Sequence, residues 1–85
     1  MYEYLISYVT PEGNHHSKVL SIAKLACLLS HDASYFKNLR VWRMLPEVEP
    51  QRVIVLQERR RSAMWYTLSI ADSYGNVIES TKCPL

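Results

Sequence analysis

Three consecutive arginines, Arg59-Arg60-Arg61, are the densest concentration of chemistry in the chain. A guanidinium keeps its charge and offers a planar fork of N–H donors that fits a phosphate or a carboxylate. Arg40, Arg43 and Arg52 lie close enough in sequence to extend such a patch. Residues 37–61 hold seven Lys/Arg against three Asp/Glu, a net +4, while the rest holds three against five, a net −2. The total of +2 does not by itself demand a nucleic-acid partner. Two readings of the triplet stay open. It is a grip for anions on a projecting loop, or a solvated turn whose charge discourages edge-to-edge aggregation.

His15-His16 and His31-Asp32 raise the question of a metal. Zinc needs three or four converging N, S or O ligands, and histidines adjacent in sequence point in divergent directions. The histidine pair is read as a polar loop before a helix, and neither metal nor cofactor is expected. Catalysis is not expected either. Gly13 and Gly75 are the only glycines, so there is no Gly-rich phosphate loop. Cys-x-x-Cys, Gly-x-Ser-x-Gly and His-Glu-x-x-His are all lacking. Tyr2, Tyr4, Tyr8, Trp42, Trp65 and Tyr66 form either a stacking platform for bases or ordinary sheet packing, which suits aromatics for its own sake.

The elements that position these residues follow from periodicity. Residues 2–10 alternate as a strand, with Tyr2, Tyr4, Ile6 and Tyr8 on one face. Pro11 to Asn14 is turn chemistry. Residues 17–30 are predicted as a helix capped by Ser17, with Val19, Ile22, Ala23, Ala26 and Leu29 on its apolar face. Leu25 and Leu28 then fall on the outer side, as a docking ridge or as scattered surface leucines. Further strands are predicted over residues 39–44, 52–58, 64–71 and 77–81. A hairpin tip is expected at Arg59 to Ser62, and a Gly-containing turn at Asp72 to Asn76. Residues 82–85 read as a flexible tail of a single domain spanning 1–85.

The order β-α-β-β-β-β implies an α+β fold, one helix packed on a four- or five-stranded antiparallel sheet. One helix covers one face. Val41, Val53, Val55, Tyr66, Leu68 and Ile70 are assigned beneath it. Arg40, Trp42, Met44, Ile54, Leu56, Trp65 and Thr67 remain on the other, too apolar a surface to leave in water.

Trp and Arg interleaved on one surface is the composition of interface anchors. The expected function is therefore a non-catalytic protein-interaction module. Its partner-binding residues are Trp42, Trp65, Arg40, Leu56, Arg59, Arg60 and Arg61, and its partner is a protein or a second copy of itself. The alternative is nucleic-acid binding through the basic middle. In size and economy the chain resembles the short accessory proteins of phage and mobile elements, some of which inhibit a host complex; no motif carries the likeness. Two cysteines are too few for a disulfide framework. Cys27 is expected in the core, and the cytoplasm is the expected compartment. No membrane partner is expected, because the longest aliphatic run is Leu25 to Leu29 and the first residues do not resemble a signal peptide.

Overall fold

The computed structural model describes residues 2–31 and 38–85. The order is β1 (Glu3–Val9), β2 (His15–Ser21), α1 (Ile22–His31), β3 (Arg40–Met44), β4 (Gln51–Arg60), β5 (Trp65–Ala71) and β6 (Val77–Pro84). The fold is α+β; the described residues form one helix and an antiparallel sheet of six strands ordered β2-β1-β3-β4-β5-β6. The expected count of four or five strands is thus one or two short.

The additional strand is β2, whose residues were expected to be a loop and the first turn of the helix. Thr10 to Asn14 explains the difference. The Gly13 N–H donates to the Thr10 carbonyl, and the Thr10 N–H to the Asn14 carbonyl, each at 2.9 Å. Pro11 takes the position where its fixed φ suits a type I turn, and Gly13 takes the left-handed one at φ 90°. Such a turn sends the chain straight back along β1, pairing Val9 with His15 and Glu3 with Ser21. Asp72 to Asn76 repeats the device between β5 and β6, with Gly75 at φ 89°.

The helix starts where β2 ends. Ser21 Oγ, not Ser17, accepts the Lys24 N–H at 3.3 Å, satisfying one of the free amides of the first turn. Starting the helix at Ile22 rotates the apolar face. Ile22, Leu25, Ala26 and Leu29 are the buried residues, spaced i, i+3, i+4, i+7 as a single packed stripe requires. Leu25 is completely buried and Leu28 packs against the core, so neither forms an outer ridge. Cys27 is exposed rather than in the core.

The sheet curls around the helix. Tyr4 on β1 donates its hydroxyl proton to Glu79 Oε1 on β6 at 3.0 Å, although three strands separate β1 from β6. In a flat sheet those strands would lie about 19 Å apart, while the two side chains together reach only about 10 Å from their Cα atoms. The bend has a location. Residues 51–53 of β4 pair with β3, and residues 54–60 pair with β5. The helix lies in the concave side, against β6, β2 and β5. Tyr4, Ile6, Val41, Tyr66, Leu68 and Ile70 fill the space beneath it. The tail expected over 82–85 is instead the end of β6 and its anchor. Lys82, Cys83 and Pro84 pair with Thr67, Tyr66 and Trp65, and the Leu85 N–H donates to the Met64 carbonyl at 2.9 Å. The turn between β4 and β5 is Arg61 to Met64, so Arg59 and Arg60 belong to the strand.

Candidate functional site

Register and alternation divide the predicted site residues between the two faces of the sheet. Arg59 pairs with Tyr66 on β5 and faces the helix. Its Nη2 donates to the Leu29 carbonyl at 2.8 Å and its Nη1 to the Ser30 carbonyl at 3.0 Å. The guanidinium also lies 4.9 Å from the Tyr66 ring centroid. These carbonyls lie in the last turn of α1 as described, where a cation also meets the negative end of the helix dipole. Arg59 is therefore a helix cap, not a free member of a basic tip. Arg60 faces away from the helix and pairs with Glu58. Arg61 is exposed on the turn. The triplet does not form one surface.

The aromatics divide the same way. Tyr4, Tyr8 and Tyr66 are buried in the core, so they offer no platform together with Trp42 and Trp65. Burial pushes the Tyr66 phenol up to about 12, against the opposing pull of the nearby Arg59 charge. Tyr4 is raised as well, by burial and then by its bond to the Glu79 carboxylate. His15 and His16 are in β2, not in a loop, and their side chains leave on opposite faces. The His16 ring stacks on Tyr8, with centroids 5.5 Å apart. Among the described residues no group of three or more His, Cys, Asp or Glu converges as metal ligands would.

The helix-free face is built from rows that run across the strands. Val19, Leu5, Trp42 and Arg52 are successive partners on β2, β1, β3 and β4. Ser17, Ser7 and Arg40 form the next row. The Arg52 guanidinium lies over the Trp42 ring, 5.2 Å from its centroid. A guanidinium seated over a ring can still donate from its N–H groups to a further acceptor. Beyond the bend in β4, Ile54, Leu56 and Trp65 are 44%, 47% and 46% exposed. Ser69 and Ser80 share a hydroxyl contact of 3.1 Å further across this face.

Trp42 and Trp65 lie on this one face but not in one patch. Trp42 is level with Arg52 and Trp65 with Arg60, which are about 26 Å apart along β4 at the usual rise per residue. Arg40, Trp42, Arg52, Ile54 and Leu56 cluster near the bend, while Trp65, Arg60 and Arg61 sit at the far end. Two shallow depressions adjoin the cluster. One, of about 410 Å³, lies where β4 changes partner and is lined by Leu39, Val41, Arg52, Val53, Ile54, Val55 and Ser73. The other, of about 300 Å³, is lined by Ser7, Val9, His15, Asn38, Leu39, Arg40 and Arg52.

Leu5, Ser7, His15 and Val19 also belong to this face, although none is among the binding residues expected from the sequence. Leu5 and Ser7 carried a signal, because they alternate with the core residues of β1. His15 and Val19 join the face only through β2. No protein-family model matches the chain, and neither a curated protein nor a solved structure matches it. Among the described residues no helix is long and apolar enough to cross a membrane.

Proposed function

We propose that the protein is a small non-catalytic binding module that docks another protein on the helix-free face of its sheet. One observation carries the reading. Among the described residues the helix covers a single face, while the other carries the exposed Ile54 and Leu56 and the partly buried Trp42, interleaved with Arg40 and Arg52. A partly buried tryptophan with an arginine over its ring is a well-held anchor of the kind that dominates protein interfaces. Trp65 would extend the contact only for a partner that spans the whole of β4.

The charges favour a different chain over a second copy. Alternation places Arg40, Arg52, Arg60 and Lys82 on this face against Glu3 and Glu58. A two-fold contact would set that excess against itself. The arginines also favour protein over nucleic acid. They divide between both faces and both ends of β4, whereas tight nucleic-acid binding gathers many phosphate contacts on one surface. Steric cover of a partner's working surface would make the module an inhibitor, as in short accessory proteins of phage. The free thiols Cys27 and Cys83 suit a reducing compartment such as the cytoplasm.

The test is affinity capture by the wild-type chain, Trp42→Ala, Leu56→Glu and, at the far tip, Arg61→Ala. A captured protein should persist with Arg61→Ala and be lost with the two face variants, while the far-UV circular dichroism of all four agrees. Retention by both face variants overturns the reading. Light scattering with absorbance at two wavelengths covers the competitors: a dimer broken by Leu56→Glu, or a particle carrying nucleic acid.

A further inference from the structure

The depression beside Trp42 has a specific chemistry. Its polar lining is Ser7, His15, Asn38, Arg40 and Arg52, and among the described residues no carboxylate lines it. The site is assembled from four neighbouring strands. His15 comes from β2, Ser7 from β1, Arg40 from β3 and Arg52 from β4. Arg40 lies diagonally from Arg52, two residues before its direct partner Trp42, a placement that sets such neighbours about 7–8 Å apart, with their Cβ atoms somewhat closer. Two guanidinium forks at that separation can close on one anion, each with charge-assisted hydrogen bonds. A hydroxyl and an amide beside them supply further donors. Neither arginine has a carboxylate partner among the described residues: the one ion pair found there is Arg60 with Glu58.

The surroundings choose among anions. Leu5 and Val19 continue the row from Trp42 on one side, and Ile54 and Leu56 lie beyond Arg52 on the other. A nucleic acid laid across this face would bring its backbone charge over those aliphatic side chains, and one face of the Trp42 ring is already covered by Arg52. A protein segment with apolar side chains on either side of an acidic one matches the layout on both counts. We propose that the groove of Ser7, His15, Asn38, Arg40 and Arg52 seats an aspartate or glutamate carboxylate from an acidic, apolar-flanked segment of the docked protein. This inference rests on the protein-docking reading and names the chemistry of the partner.

The test uses the intact 15N-labelled chain and two probes, hexaglutamate peptide and a thymidine oligodeoxynucleotide of matched charge, titrated at low salt. Hexaglutamate should first move the resonances of Ser7, His15, Arg40, Arg52 and the Trp42 indole N–H. Loss of two charge-assisted contacts in Arg40→Ala/Arg52→Ala should weaken that response by about tenfold or more. Arg61→Ala should leave it unchanged. The same spectra report that each variant is folded. Absence of shifts at millimolar peptide, or shifts led by Arg60 and Arg61, overturns the proposal. So does an oligonucleotide that moves the groove residues at lower concentration than the peptide. The two readings fail separately. Capture lost in Leu56→Glu with no response to hexaglutamate keeps the docking face and removes the acidic segment. A groove response with capture indifferent to Leu56→Glu keeps the anion subsite and removes the docking face.

Discussion

The same strands build two faces of opposite character. Along β5, Tyr66, Leu68 and Ile70 point to the helix and are completely buried, while Trp65 at its start is nearly half exposed. Along β4, Val53 is buried and its neighbours Ile54 and Leu56 are exposed. Both faces carry large apolar side chains, but among the described residues only one has a helix. Each residue beneath the helix gains about 1.5–3 kcal/mol from leaving water. The residues on the outer face make little of that gain in the isolated chain. Folding therefore accounts for the first set and not for the second, which the proposed docking would cover.

The largest expected contrast is between two leucines. Leu68→Ala should cost about 2–5 kcal/mol in urea unfolding, because it leaves a cavity in a packed core. Leu56→Ala should cost less than about 1 kcal/mol. Equal costs would break the distinction between the faces.

Tyr66 sharpens it through pH. Its folded pKa of about 12 stands above the ordinary 10. Above pH 10 the unfolded chain gives up this proton and the folded one keeps it. The stabilisation is complete below pH 10 and is lost as pH rises towards 12, by at most about 1.4 kcal/mol per pH unit. Tyr4 changes in the same direction. Stability measured from pH 9 to 12 should fall less steeply in Tyr66→Phe than in the wild type, and equal slopes would contradict the burial of this hydroxyl.

Arg59 and Arg61 make the next comparison. Arg59→Ala should cost about 1–2 kcal/mol, from two charge-assisted bonds to the helix end and a stacked ring. Arg61→Ala should stay within about 0.5 kcal/mol. An effect between these two belongs to the turn that aligns β5 with β6. Gly75→Ala at φ 89° should cost about 1 kcal/mol and leave both faces intact in the amide spectrum.

Much of this was legible in the sequence. The alternation of β1 placed Tyr4, Ile6 and Tyr8 together, and that of β4 and β5 separated Val53 from Ile54 and Leu68 from Trp65. The edge strand was not legible. His15-His16-Ser17-Lys18 carries no apolar alternation, since an edge strand over little core has few side chains to bury. That omission displaced the helix start to Ser17, rotated its apolar face and put Leu25 outside. The helix cap by Arg59 was out of reach for a different reason. It joins residues 29 and 30 apart in sequence, and only the curl of the sheet brings them together. The separation of Trp42 from Trp65 depended likewise on the pairing register, which composition does not contain.

One paired measurement tests the division of labour most directly: urea unfolding and protein capture on the double variant Ile54→Thr/Leu56→Glu, compared with the wild type. The account predicts unfolding within about 1 kcal/mol of wild type together with complete loss of the captured protein. A variant that fails to fold, or one that folds and still holds the partner, would contradict it.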